Sequence, residues 1–122
     1  MVRSTHAVIG SLPTRLHPDT DEEVVGRRMP AFGHALEIAV SASDLTGLGY
    51  VGADVVIDAK RGPVVLELNA RPGLAVQIAN RSGLRPRLEA VDEDVHADLP
   101  LADRLTLGRR IAHQQEQANG RG

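Results

Sequence analysis

Apolar residues stand at every second position from about 50 to 58 and again from 63 to 69. This period of two is typical of half-buried strands. The two segments are separated by residues 59–62, which are few enough for a tight turn. The sequence therefore predicts an antiparallel β-hairpin with strands at about 50–58 and 63–69. The apolar face of the second strand is predicted to carry Val64, Leu66 and Leu68. The other face is predicted to carry Val65, Glu67 and Asn69.

Helical patterns flank this hairpin on both sides. Apolar residues recur three or four positions apart from about 30 to 45 and from about 99 to 117, which predicts a helix in each segment. A short helix is predicted over 74–81. Residues 85–98 contain Pro86 and several acidic residues, and we expect them to form a surface connection.

The first 29 residues are polar and are interrupted by proline and glycine, so they are predicted to form irregular or edge-strand structure. His17–Asp21 is expected to form a turn, because proline fixes its own φ and short polar side chains bind nearby amides. The predicted fold class is α+β. We expect three segments, namely an N-terminal segment over 1–29, a core over 30–92, and a linker, C-terminal helix and frayed tail over 93–122.

Composition limits what the chain does. Its 122 residues are 42% hydrophobic, which is enough for one modest core, and they include no cysteine. Disulfides and thiolate metal sites are thereby excluded, and we expect a cytoplasmic protein without a signal peptide or a membrane span. The formal net charge of -2 gives no overall attraction to nucleic acid or membranes. The five histidines show no zinc-binding spacing.

Two carboxylates and an amide are predicted to meet on the hairpin. If residues 59–62 close a tight turn, Asp58 lies opposite Pro63 and Asp54 lies opposite Glu67, with Asn69 further along the same face. Like charges directly opposite destabilise a sheet by up to about 1 kcal/mol, and a cation between them removes this cost. An all-oxygen ligand set suits Mg²⁺ or Mn²⁺. The same alternation also fits an ordinary hairpin whose polar residues face solvent.

The sequence around these residues resembles a known family. Gly49–Asp54, followed by Glu67–Gly73, is similar to the final strands of the ATP-grasp fold. The likeness covers about residues 16–92 and is nearest to α-L-glutamate-ligase-like proteins related to the enzyme that adds glutamates to a ribosomal protein. It also includes His17–Thr20 and Thr46–Tyr50. The resemblance implies that residues 30–92 are a C-terminal ATP-grasp core with the hairpin packed against the two longer helices.

The resemblance also implies roles for individual residues. Asp54, Glu67 and Asn69 are the expected Mg²⁺ ligands, with Glu67 bridging two ions. The place of Arg71 just past these ligands, on a turn fixed by Pro72, makes it the expected catalytic residue and, with Asn69, the expected contact to ATP, because a guanidinium can bind a phosphate or a carboxylate with two hydrogen bonds. A surface salt bridge that holds the loop is the alternative for Arg71.

The implied activity is ATP-dependent joining of a carboxylate to an amine through an acyl phosphate, with ATP and Mg²⁺ (or Mn²⁺) as cofactors. The phosphate-binding lysines and glycine-rich loop of the family have no counterpart before His17. We therefore expect a C-terminal portion that binds Mg²⁺ weakly and is inactive alone. The alternative is a non-catalytic interaction module. Its exposed apolar strands would be covered by a second copy or by a partner chain that carries the nucleotide-binding half.

Overall fold

A computed structural model describes residues 3–4, 7–9, 12–94 and 98–119, without the side chains of residues 115, 116, 118 and 119. The chain divides into two compact units, Met1–Ser82 and Gly83–Gly122. The predicted segments 1–29, 30–92 and 93–122 stay a prediction. Of the predicted tail, residues 120–122 lie outside the described part.

The first unit contains both hairpins of the described chain. Its elements, in chain order, are β1 (Ala7–Ile9), β2 (Leu12–Thr14), α1 (Phe32–Asp44), β3 (Gly52–Asp58), β4 (Gly62–Asn69) and α2 (Ala75–Asn80). The second unit contains α3 (Arg85–Asp94) and α4 (Leu101–Asn119). The α+β class is confirmed, and the helices predicted over 30–45, 74–81 and 99–117 correspond to α1, α2 and α4.

The N-terminal segment, predicted to be irregular or edge-strand structure, contains two short strands and a turn. β1 and β2 pair antiparallel, and an isolated bridge joins Leu16 to Glu23. Between them, the His17 carbonyl oxygen accepts the Asp21 N–H at 3.0 Å, and the His17 ring nitrogen Nδ1 accepts the Asp19 N–H at 3.2 Å. The turn predicted at His17–Asp21 is therefore confirmed.

α1 ends where the chain needs to reverse into the central hairpin. The Gly47 N–H donates to the Asp44 carbonyl oxygen at 3.3 Å, and Gly47 has a φ of 66°, which glycine adopts without steric cost. The helix contacts both β3 and β4. One face of the central hairpin is therefore covered by a helix, and the other face is left to carry polar groups.

The central hairpin has a β-bulge that the alternation of the sequence does not reveal. Asp58 pairs with Gly62, so the predicted pairing of Asp58 with Pro63 is wrong by one residue. The register shifts between Asp54 and Val55, where Leu66 is an extra residue without a partner. Beyond the bulge, Asp54 lies opposite Glu67, as predicted.

The bulge also changes which residues share a face, because directly opposed partners lie on the same side of a sheet. Val65 pairs with Val55 and does not share a face with Glu67, contrary to prediction. The predicted apolar face of β4 is likewise wrong, since Leu66 is 66% exposed. The covered face carries Ala53, Val55, Ile57, Pro63, Val65 and Leu68, of which Pro63 is buried.

The second unit corrects the prediction for residues 85–98. Residues 85–94 form a helix, α3, although Pro86 argued for a surface connection. Pro86 lies in the first turn, where its missing N–H has no partner to lose. An ion pair joins Arg85 to Glu89 one turn later, with 2.7 Å between Nε and Oε1. In α4, Leu107 and Ile111 are buried. The predicted packing of this last helix on the hairpin stays a prediction.

Candidate metal centre

Asp54 and Glu67 lie directly opposite each other on neighbouring strands, and Gly52 lies opposite Asn69. Residues two apart on a strand point to the same side, so all four positions share one face of the hairpin. The side chains of Asp54, Glu67 and Asn69 are exposed. Oppositely placed residues in such a pair have Cβ atoms roughly 5 Å apart. Two negative charges are therefore held close together on an open surface.

No described basic side chain forms an ion pair with either carboxylate; the ion pairs seen join other residues. In the described part of the chain, no three His, Cys, Asp or Glu side chains cluster as a metal site. The candidate centre instead has two carboxylates and one amide. This all-oxygen set is short of ligands for zinc but suits Mg²⁺, which keeps several waters and phosphate oxygens in its shell.

The side chain of Asn69 is held by the loop that follows it. Its Oδ1 atom accepts the backbone N–H of Arg71 at 2.9 Å. An amide oxygen has two lone pairs, so Oδ1 keeps one for a metal ion or another donor. The hydrogen bond therefore fixes the amide without using up its capacity as a ligand.

The opposite end of the hairpin is closed by Asp58. Its Oδ1 accepts the backbone N–H groups of Arg61 at 2.8 Å and Lys60 at 2.9 Å. Donation from Arg61, followed by that from Lys60, lowers the pKa of the Asp58 carboxyl below its ordinary value of 3.8. Gly62 completes the turn with a φ of 75°. This carboxylate is engaged in the turn, which separates its role from that of Asp54 and Glu67.

A close contact that sequence reasoning missed lies beside the candidate centre. A Cβ atom built on Gly52 would lie 2.8 Å from Cβ of Pro72, a distance that real Cβ atoms do not adopt. Pro72 therefore occupies the space that a side chain at position 52 would fill. The signal in the sequence was a glycine two residues before Asp54, but nothing in the alternation of apolar residues indicated that Pro72 packs against it.

Comparison with known families matches residues 2–93 to the family model described as sugar-transfer associated ATP-grasp. The chain belongs to this ATP-grasp family. No curated protein and no solved structure matches it significantly. The family supports ATP-dependent, ligase-like chemistry with ATP and Mg²⁺, and with carboxylate and amine substrates in the parent enzyme. The narrower likeness to glutamate ligases stays a prediction.

Within the ATP-grasp hairpin, Arg71 lies directly after the candidate ligands and is exposed. Among the ion pairs of the described residues none includes Arg71, so the alternative role as a surface salt bridge is not seen there. Arg71 directly precedes Pro72, the residue that packs against Gly52. Its role toward ATP or a substrate carboxylate stays a prediction.

The only lysine of this ATP-grasp chain is Lys60. It lies in the hairpin turn and is exposed, at the end of the strands away from Asp54 and Asn69. Across the described ranges, no helix is long and apolar enough to cross a membrane. The cytoplasmic location stays a prediction.

Proposed function

We propose that this chain provides the Mg²⁺-binding part of an ATP-dependent carboxylate-amine ligase. The observation that carries the proposal is the pairing of Asp54 with Glu67 across an exposed hairpin face, without a basic partner among the described residues. Asn69 supplies a third oxygen on the same face. Family membership provides the chemical setting, since ATP-grasp proteins use ATP and Mg²⁺.

In the proposed reaction, an oxygen of the substrate carboxylate attacks the γ-phosphorus of ATP, and the bond from that phosphorus to ADP breaks. The acyl phosphate that results is attacked at its carbonyl carbon by an amine. Phosphate leaves, the amine loses a proton, and an amide has formed. The chemistry that Mg²⁺ would supply, if held by Asp54, Glu67 and Asn69, is neutralisation of charge on the transferring phosphoryl group.

The residues of the chain act by holding and orienting charge. Asp54 and Glu67 would each hold Mg²⁺ through a carboxylate, and the family resemblance implies that Glu67 would serve two ions. Asn69 adds an oxygen whose direction is set by its hydrogen bond to Arg71. The Arg71 guanidinium then binds a phosphate or the substrate carboxylate with two parallel hydrogen bonds.

The identity of the substrates is the finest level of the proposal. Glutamate as the joined amino acid is supported only by the resemblance of segments such as Asn69–Leu74 to glutamate-ligase-like proteins. The matched family is described by an association with sugar transfer, which names no amino acid. We propose the reaction class for this chain and glutamate as the first amino acid to be assayed.

The proposal includes weak binding and no turnover by the 122-residue chain alone. The sequence contains a single lysine, Lys60, and it lies in the hairpin turn away from Asp54. Two carboxylates on an open face bind a divalent ion weakly, because affinity rises with ligand number and site rigidity. Steady ADP release from ATP by the purified chain, lost in Asp54→Ala, would contradict this part.

The test of the metal site is a Mn²⁺ titration followed by electron paramagnetic resonance, which counts the free ion. Asp54→Asn and Glu67→Gln keep the shape of each side chain and remove its charge. We expect each to weaken Mn²⁺ binding by at least about tenfold. Asp92→Asn is the matched control, because Asp92 is an exposed acid in the other unit. Equal affinity in all four proteins would overturn the assignment.

A second candidate function is a non-catalytic interaction module, favoured by the exposure of apolar residues on the central hairpin. Leu66 is 66% exposed and Val56 is 42% exposed. Burial of such side chains against another chain would be favourable. Size-exclusion chromatography with light scattering tests for self-association, and a concentration-independent monomer would count against the second copy as the partner.

A further inference from the structure

The contact between Gly52 and Pro72 joins the strand that carries Asp54 to the loop that carries Arg71. A side chain at position 52 would point to the same side as that of Asp54, because the two residues are two apart on β3. The hypothetical Cβ of residue 52 lies 2.8 Å from Cβ and 3.4 Å from Cγ of Pro72. Pro72 therefore lies on the carboxylate face of the hairpin.

The glycine is required here for space. Its φ lies outside the left-handed region that favours glycine, since such values occur among the described glycines at 26, 47 and 62. In contrast, Gly73 in the same loop has open space around its hypothetical Cβ and also lacks a left-handed φ. Gly52 therefore has a steric reason to lack a side chain, and Gly73 does not.

Two constraints then act on the loop after Asn69. The Arg71 N–H is bound to Oδ1 of Asn69 at 2.9 Å, and the ring of the next residue, Pro72, is seated over Gly52. The carbonyl oxygen of Asn69 also lies 3.8 Å from the hypothetical Cβ of Gly52. A displacement of Pro72 would therefore move the Arg71 amide and weaken its hydrogen bond to Asn69.

We propose that Gly52 is a positioning residue of the metal centre, which seats Pro72 on the carboxylate face and thereby aims Asn69 beside Asp54 and Glu67. The proposal rests on the proposed function and adds a residue that binds neither metal nor substrate. Residues that orient metal ligands in this indirect way affect metal affinity by about 10–100-fold.

The test compares Gly52→Ala in two backgrounds of the full chain, the wild type and Pro72→Gly. In the wild-type background the new methyl group collides with Pro72, and we expect Mn²⁺ binding to weaken by at least about tenfold. In the Pro72→Gly background the colliding atoms are gone, and we expect Gly52→Ala to change Mn²⁺ affinity by less than about twofold. Gly73→Ala is the matched control and should bind Mn²⁺ like the wild type.

A second readout does not depend on metal. The backbone amide resonance of Arg71 reports its hydrogen bond to Asn69, and we expect it to shift in Gly52→Ala but not in Gly73→Ala. A fully unfolded Gly52→Ala protein would be recognised by the narrow dispersion of its amide resonances. The test would then be the Mn²⁺ affinity of Pro72→Gly with and without Gly52→Ala, and a loss of affinity there would contradict the positioning role.

Three outcomes separate the two proposals. Unchanged Mn²⁺ affinity and an unchanged Arg71 resonance in Gly52→Ala would overturn the positioning role while leaving the metal site intact. An equal loss in both backgrounds would also overturn it, because the effect would not pass through Pro72. Absence of Mn²⁺ binding by the wild-type chain would overturn the proposed function, and the positioning of Asn69 would then be judged by the Arg71 resonance alone.

Discussion

Asp58 and Asp54 occupy the same strand and the same face, yet their surroundings give them different roles. Asp58 accepts two backbone N–H groups in the turn through its carboxylate, whereas no hydrogen bond or ion pair to the carboxylate of Asp54 is seen among the described residues. A carboxylate that accepts such bonds is stabilised in its charged form. Asp58 is thus explained by the hairpin turn, while the carboxylate of Asp54 is exposed and open to the proposed Mg²⁺.

The role of Asp58 predicts a dependence of stability on pH. Its folded pKa is lowered below 3.8 by Arg61 and Lys60. The stability it contributes is therefore present above the unfolded value and is lost as pH falls through the lower folded value. Asp58→Asn keeps an acceptor oxygen and removes the titration, so we expect it to be less stable than the wild type at pH 7.

The measurement is urea denaturation followed by circular dichroism between pH 7 and pH 2. The stability difference between the wild type and Asp58→Asn should narrow once the pH falls below about 4. Asp92→Asn, an exposed acid in the second unit, serves as the control. A difference that stays constant down to pH 2 would contradict the assigned hydrogen bonds.

At the level of elements, the β-bulge at Leu66 sets which residues of the central hairpin lie opposite each other. Counting back from the turn requires that both strands alternate without interruption, and this count placed Asp58 opposite Pro63. The observed turn is one residue tighter, and the extra residue Leu66 restores the pairing of Asp54 with Glu67. The predicted pairing of Asp54 with Glu67 is thus confirmed, although the turn length from which it was counted was wrong by one residue.

The bulge predicts that Leu66 and Leu68 contribute differently to stability, whereas uninterrupted alternation would place both on the apolar face. Leu66 is 66% exposed, whereas Leu68 is half-buried on the face covered by α1. We expect Leu66→Ala to change the free energy of unfolding by less than about 0.5 kcal/mol. We expect Leu68→Ala to cost about 1–3 kcal/mol, somewhat below the range for fully buried leucine.

Urea denaturation of both variants provides the comparison, and each variant is the matched control of the other because the chemical change is identical. Equal losses in the free energy of unfolding, or a larger loss in Leu66→Ala, would favour uninterrupted alternation and contradict the bulge.

The limits of sequence reasoning are visible in these elements. Hydrophobic period predicted α1 and the two strands within a few residues, because each has one covered and one open face. A bulge leaves no mark on such a pattern, since one extra exposed leucine looks like a normal alternating residue. The Pro86 signal misled for a related reason, because proline ends a helix only beyond the first turn.

At the scale of the molecule, every residue assigned to the metal centre lies in the unit Met1–Ser82. The two carboxylates, the amide and the Gly52–Pro72 contact form one continuous patch on the central hairpin. The family match covers this unit and most of α3. Metal binding should therefore be detectable as a local property of the hairpin in the intact chain.

The most direct test is a nuclear magnetic resonance titration of the 122-residue chain with substoichiometric Mn²⁺, which broadens amide resonances near the bound ion. The account predicts the strongest broadening at Asp54, Glu67 and Asn69, with removal of the effect by excess Mg²⁺. The acidic residues Asp92–Asp94 should retain sharp resonances and serve as an internal control. Broadening centred on residues 92–94, or spread evenly over all exposed carboxylates, would contradict a metal centre on the hairpin.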